Sequence, residues 1–254
     1  MEARKPLTDH AFWKEYWRTK HVIFNVPESY SFGPLLKGLH ARQHFKNFIE
    51  VGGFPGHYAV YALKHLGIMP TLLDYHIVPP VLEKLCALNK VSPSDIELLE
   101  RDFFQHEPDR QFDIVFSKGF IEHFLDLKDV IGRHLSYCAP GGVVVMTVPN
   151  FRGFAGWAQF FWDRPTLRKH NLRAMKPGHL RKVLKSLGVT DYDIFYDGQY
   201  GMWLDNYESL SRFNKRLFEA FENLTARASY KIRWKRMFSP ALVVVIRNAG
   251  RVRS

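Results

Sequence analysis

From Asn47 onward the apolar residues gather in short runs of strand length: Phe48 to Val51, Thr71 to Leu73, Ile96 to Leu99, Phe112 to Phe116 and Val143 to Val148. Between most of these runs the apolar positions recur at helical spacing, over Tyr58 to Leu66, Val81 to Leu88 and Leu127 to Tyr137. This alternation predicts an α/β fold, an open parallel sheet covered by helices on both faces. Beyond the fifth strand the pattern gives a basic helix near 177–187, a strand at Asp193 to Tyr196, a helical insertion near 205–228 and a last strand at Ala241 to Ile246. The two final strands flank a long connection and are placed to pair as an antiparallel edge. A dehydrogenase-type sheet would more simply end in a sixth parallel strand.

The first 45 residues read differently. Phe12-Trp13-Lys14-Glu15-Tyr16-Trp17 is an aromatic amphipathic segment, and Pro27, Gly33 and Pro34 punctuate the stretch after it. Together they predict a helix-and-loop extension of a single domain. The expected organisation is an extension over 1–45, a core over 46–197, an insertion over 198–240, and a last strand and tail over 241–254. The longest apolar runs fall far short of the roughly 20 residues of a membrane span, and no apolar signal core follows Met1. Cys86 and Cys138 alone support neither a disulfide framework nor a thiolate metal site. A reducing, cytoplasmic setting is expected, and, with no His, Cys and carboxylate set evident in the sequence, no metal.

Lysine and arginine outnumber aspartate and glutamate by 36 to 25, a net charge of +11 that favours anionic partners. The excess is uneven, because Arg164 to Thr190 holds eight basic residues and no acid.

Candidate chemistry sits at the ends of the strands. The first ends in Glu50-Val51-Gly52-Gly53-Phe54-Pro55-Gly56 and runs into a helix. In an open parallel sheet ligands lie outside the carboxyl ends of the strands, and glycines there admit close backbone approach. The second strand ends in Leu73-Asp74-Tyr75, with Asp74 placed to accept hydrogen bonds from both hydroxyls of a ribose. The third ends in Asp102-Phe103, an acid and a ring suited to the amine and face of an adenine. An ordinary tight turn and a solvated loop acid are the structural alternatives for the first and third of these. The fourth strand continues into Ser117-Lys118-Gly119-Phe120-Ile121-Glu122-His123, and the fifth is preceded by Pro140-Gly141-Gly142.

Taken in order, Glu-x-Gly-x-x-x-Gly, Leu-Leu-Asp, Asp-Phe, Phe-Asp-x-Val, Ile-Glu-His and Pro-Gly-Gly resemble the class I S-adenosylmethionine-dependent methyltransferases over about residues 46–197, and more weakly over the last strand. The resemblance implies a Rossmann-like seven-stranded sheet of order 3-2-1-4-5-7-6 with strand seven antiparallel, and S-adenosylmethionine as cofactor, with S-adenosylhomocysteine as product. By position it implies that Glu50 contacts the amino-acid end of the cofactor, directly or through water. Gly52 and Gly56 line that region, Asp74 holds the ribose, and Asp102 with Phe103 frames the adenine. Ser117 and Lys118 lie beside the cofactor, with Gly53, Phe54 and Tyr75 completing the set. The family usually has Gly where Phe54 stands.

His123 is the candidate catalytic residue, a general base by its type and place; a structural or cofactor-lining histidine is the alternative. Asn150, Arg152, Arg168, His170, Asn171 and Arg173 follow strand five, where a phosphate, carboxylate or sugar would be bound, and Tyr16 joins them from the extension. A solvated basic face is the competing reading. Trp13, Tyr16 and Trp17 form either a lid over the cofactor or, the preferred reading, a pack against the sheet helices. Leu210, Phe213, Leu217, Phe221, Leu224 and Ala228 recur at helical spacing as a core or dimer face. Beyond them Lys231, Arg233, Lys235 and Arg236 interleave with aromatics.

The expected function is methyl transfer to an oxygen or nitrogen of a small, anionic or glycosylated metabolite, by in-line displacement. A nucleic-acid methyltransferase and a non-catalytic scaffold subunit are the alternatives; peripheral membrane contact and a homodimer are compatible with the surface.

Overall fold

The computed structural model describes residues 6–19, 23–198, 200–232 and 234–249. Arg233 of the basic tail and the extreme termini lie outside them. One seven-stranded sheet organises the chain, with strands β1 (Asn47–Val51), β2 (Met69–Asp74), β3 (Glu97–Glu100), β4 (Phe112–Lys118), β5 (Cys138–Pro149), β6 (Tyr192–Asp197) and β7 (Ala241–Arg247). Their order is β3-β2-β1-β4-β5-β7-β6. The first five are parallel, and β7 runs antiparallel between β5 and β6. The order implied by the sequence resemblance is therefore the one observed.

Burial explains the strand sequences. In β5 and β7 the runs from Val143 to Val148 and from Ala241 to Ile246 are buried throughout, as expected of strands covered on both faces. Alternate residues feed two cores, Val243 and Val245 into one, Leu242, Val244 and Ile246 into the other. The first core is closed by α2 (Gly33–Gln43), by α3 (His57–Tyr61) with its π-turn continuation Ala62–Leu66, and by α4 (Pro79–Asn89). The second is closed by α5 (Leu127–Tyr137) and α8 (Pro177–Ser186). An N-terminal helix, α1 (His10–Thr19), lies over the carboxyl ends of the strands and touches the first core through Trp17.

Strand β5 starts at Cys138, five residues before the apolar run, and its register on β4 shifts between Phe112 and Ile114, with Gly141 at a φ of +83° in the stretch between. After β5 the chain forms two short helices that periodicity does not reveal, α6 (Phe154–Trp162) and α7 (Arg164–Arg168). The insertion helix α9 (Arg212–Lys231) packs on α6 through Phe218 and Phe221, and α10 (Lys235–Phe238) follows it. The apolar stripe expected along α9 is divided. Phe221 turns inward, while Phe213, Leu217 and Leu224 face solvent, as do Trp157 and Phe161 of α6. Among the described residues no helix is long and apolar enough to cross a membrane.

Candidate active site

A cavity of about 380 Å³ opens where β1, β2 and β4 end. Its floor is Gly52, Leu73, Asp74 and Tyr75; Asp102, Phe103 and Phe104 form one wall, and Gly119, Phe120 and His123 the other. The roof is α1, which contributes His10, Trp13 and Trp17. A backbone bridge holds this roof down. Leu7 N–H donates to the His123 carbonyl at 2.8 Å, and Pro6 bridges Phe124. Trp13 and Trp17 thus cover the cavity instead of packing only on the sheet helices, and the signal missed was the Thr8-Asp9 start of that helix, where Asp9 accepts from Phe12 N–H at 2.8 Å.

Backbone geometry keeps the floor open. Gly52 has φ of +60°, and a Cβ there would lie 2.2 Å from the Phe120 ring. At Gly53 a Cβ would lie 2.1 Å from the Glu50 side chain. Glu50 itself is buried under this turn and does not line the cavity. Its carboxylate accepts from Ala59 N–H at 2.7 Å and from Tyr58 N–H, capping α3. Burial outweighs these donors and nearby Lys118, and pushes the carboxyl up to about 8. Phe54 is 2 % exposed, and its ring meets Trp17 edge-on at 5.4 Å.

Asp74 closes the floor. Its oxygens accept from Phe54 N–H and His76 N–H, both at 3.1 Å. Burial still raises it, to about 6, so it is an anion at neutral pH. Tyr75 N–H is a third donor to it, which leaves the carboxylate acceptor capacity for a ligand hydroxyl. Beside it the Tyr75 ring stacks on His10 at 4.0 Å, and the buried Tyr75 hydroxyl has no hydrogen-bond partner. Asp102 accepts from Phe104 N–H at 2.8 Å and from the Gln105 side chain at 3.1 Å, while Phe103 stands edge-on to Phe120 at 5.3 Å. A ribose-ready acid, an orphaned hydroxyl and an aromatic slot fit a nucleoside-bearing cofactor.

Ser117 and Lys118 stand off the cavity. Ser117 donates to His134 Nε2 at 3.0 Å, while His134 Nδ1 donates to Val130 O. The Lys118 ammonium lies over Tyr30 and Tyr58, at 5.6 and 5.9 Å from the ring centres. Gly56 begins α3 with a positive φ and lies outside the cavity lining.

His123 is buried in the wall, its Nδ1 donating to Lys169 O at 3.1 Å. A carbonyl only accepts, so the proton is on Nδ1 and Nε2 carries the lone pair. Burial first, and neighbouring His170 second, lower its conjugate acid to about 3. None of Tyr16, Asn150, Arg152, Arg168, His170, Asn171 and Arg173 lines the cavity. Asn150 is committed to the carbonyls of Arg236 and Ser239, and Asn171 to that of Phe124. Arg168 and Arg173 are exposed on the segment that touches His123. His170 lies 4.9 Å from His123 between ring centres, and buried Glu122 stands next to both.

A sheet of this order with a nucleoside-ready cavity at its carboxyl ends defines the class I S-adenosylmethionine-dependent methyltransferases. Residues 30–192 match the family model described as a methyltransferase domain. The chain belongs to that family of methyltransferase domains. No curated protein matches by sequence. Among solved structures the chain is similar to Haemonchus contortus phosphoethanolamine N-methyltransferase 2, in complex with phosphomonomethylethanolamine and S-adenosylhomocysteine, at 16% identity and a TM-score of 0.56. That match covers 86% of this chain and 53% of the other, so the chain spans about half the length of that enzyme. A SAM-dependent methyltransferase from Archaeoglobus fulgidus matches at 17% identity and a TM-score of 0.51, over 94% of this chain and all of the other. An O-methyltransferase family protein from Burkholderia thailandensis matches at 12% identity and a TM-score of 0.54, over 87% and 57%. At these identities the likeness is one of fold.

Proposed function

We propose that the chain methylates an oxygen or nitrogen of a small, anionic or glycosylated metabolite. The observation that carries the reading is the roofed cavity lined by Asp74, Tyr75 and Asp102-Phe103. When bound, S-adenosylmethionine supplies a methyl group already electrophilic on its sulfonium, which leaves the protein mainly the task of positioning. Asp74 accepts from the ribose hydroxyls, Phe103 packs on the adenine, and Trp13 and Trp17 exclude water. His123 presents Nε2 as a hydrogen-bond acceptor for the nucleophile's O–H or N–H. Its burial leaves it too weak a base to keep an abstracted proton near neutral pH, so it orients the acceptor.

The anionic character of the acceptor is supported by Arg168 and Arg173, which are exposed, have no acidic partner among the described residues, and flank the segment bonded to His123. Calorimetric titration with S-adenosylmethionine and S-adenosylhomocysteine, with NAD as control, tests the cofactor half; micromolar binding lost in Asp74→Asn is expected, and absence of binding would return the chain to a scaffold role. Charge reversal at Arg168 and Arg173 tests the acceptor half. KM for an anionic acceptor should rise with kcat and stability held; an unchanged KM removes the anion site. A nucleic-acid acceptor is the second reading, favoured by Tyr230 and Trp234, 90 % and 57 % exposed beside Lys231, Lys235 and Arg236. A steep salt dependence of RNA affinity would support it.

A further inference from the structure

We propose that Glu122, His123 and His170 form a binding site for one divalent transition-metal ion, set behind the cavity wall that His123 contributes. The sequence hides the site because its members come from two places, a 3₁₀ turn after β4 (Ile121–His123) and the loop after α7. Backbone bonds join these segments. Asn171 N–H donates to Glu122 O at 2.6 Å, and its side-chain amide donates to Phe124 O at 2.8 Å. As a result one ligand atom from each of the three side chains lies within 4.8 Å of the others. Metal bonds of about 2.0–2.1 Å place tetrahedral donors roughly 3.3 Å apart, so binding draws the groups inward by at most about 1.5 Å.

Three features are those of a ligand set and not of a chance meeting. First, both imidazoles donate Nδ1–H to backbone carbonyls, His123 to Lys169 O at 3.1 Å and His170 to Thr166 O at 2.7 Å. Metal-bound histidines are held in this way, with Nε2 left as the donor to the ion. Second, Glu122 is 1 % exposed and its Oε2 has no hydrogen-bond partner. A buried carboxyl oxygen without a partner is costly, and a cation is the partner the site lacks. Third, the surroundings limit competing water, since Trp13 stands edge-on to His123 and Phe151 edge-on to His170, each at 5.0 Å. Asp163 and Asp205 lie on the His170 side and favour a cation. The Lys169 ammonium opposes one but is turned over the Phe12 ring at 4.5 Å.

Two imidazole nitrogens and one carboxylate oxygen suit Zn²⁺, Co²⁺, Fe²⁺ or Mn²⁺ and leave coordination positions free. An ion there would take up the His123 Nε2 lone pair and would itself meet the acceptor's oxygen or nitrogen in place of that hydrogen bond, making its proton more acidic; that consequence rests on the methyltransferase reading, whereas metal binding does not.

The test is titration of chelator-treated protein with Co²⁺, read by its visible d–d absorption, for the wild type, His170→Ala and Glu122→Gln. One equivalent is expected to saturate the wild type with bands of low-symmetry coordination. Each variant should bind about tenfold or more weakly. Equal affinity in all three proteins, as adventitious histidines would give, overturns the proposal, and so does the absence of a saturable first equivalent. Glu122→Gln preserves side-chain shape and serves if His170→Ala does not fold, which a thermal melt decides. Titration of the metal-free wild type with S-adenosylhomocysteine stands apart. Its failure would count against the methyltransferase reading and leave the cobalt result intact.

Discussion

Glu50→Gln separates what the buried carboxyl does for folding from what its charge does. In the folded protein burial holds this acid up to about 8, against an ordinary 4.5 in an unfolded chain. The folded state therefore binds the extra proton between these two values. A raised acid contributes stability that is complete below pH 4.5 and is lost as pH rises toward 8. At about 1.4 kcal/mol per pH unit the loss is roughly 3 kcal/mol at pH 7 and roughly 4 kcal/mol at pH 8. Glutamine carries no such charge. At pH 5 the wild-type carboxyl is itself neutral and, like the amide, offers a carbonyl to Ala59 N–H, so the two proteins should lie within about 1 kcal/mol. At pH 8 the variant should be the more stable by about 3 kcal/mol. Urea unfolding followed by circular dichroism at pH 5, 6, 7 and 8 measures the difference, in which all other titrations cancel. Stability curves that run parallel across this range would refute the reasoning and show the Tyr58 and Ala59 donors, with Lys118, to outweigh burial.

Asp74, raised to about 6, ties cofactor binding to pH: as pH falls through 6 the ribose acceptor is protonated, and affinity for S-adenosylhomocysteine should be about fourfold weaker at pH 5.5 than at pH 7.5. Calorimetry on the wild type between pH 5.5 and 7.5 measures it, and an affinity independent of pH over that range would refute the role given to Asp74. Gly52→Ala places a side chain at φ of +60° and against Phe120, a strain of about 1–2 kcal/mol; melting temperature and cofactor affinity should both fall, and an unchanged affinity would mean that Phe120 yields freely. Asn171→Ala removes the amide that accepts from Arg173 N–H and donates to Phe124 O, and should destabilise by about 2–3 kcal/mol in urea unfolding even when the cofactor is absent.

Periodicity made the strands legible where the sheet buries a short apolar run, most clearly over Val143 to Val148 of β5 and Ala241 to Ile246 of β7, whereas β3 and β6 at the sheet edges are largely exposed or half-buried. It missed α6, whose Phe154, Trp157, Phe160, Phe161 and Trp162 are apolar on several sides and so show no single face. The cavity lining was legible where a residue's place at a strand end already fixes its surroundings, as for Asp74 and Asp102-Phe103. The acceptor half was not. Asn150 and Asn171 read as polar groups awaiting a substrate, yet each is buried and committed to backbone carbonyls. Polar type alone does not distinguish a group that binds a ligand from one that pins a loop, because both lie in the same turns. The convergence of Glu122 and His123 with His170 depends on a tertiary contact between segments 47 residues apart, and no local spacing records it.

Phe54 is the residue at which chain and family part, and the roof explains it. A glycine here would free the turn, but this chain covers its cavity with α1, and Trp17 needs a surface to rest on. Phe54 supplies that surface with its ring, while its backbone N–H holds Asp74. The side chain and the floor of the cavity are thus parts of one arrangement, and Phe54→Gly should damage it instead of restoring a more ordinary loop. Removing a side chain only 2 % exposed should cost about 3–5 kcal/mol, with up to about 1 kcal/mol more for the freedom glycine gains in the unfolded chain. S-adenosylhomocysteine should bind more weakly as Trp17 loses its seat, and tryptophan fluorescence should report a more solvated ring. A variant as stable as the wild type and tighter for the ligand would show the phenylalanine to be an obstruction in the turn, and α1 a bystander to binding.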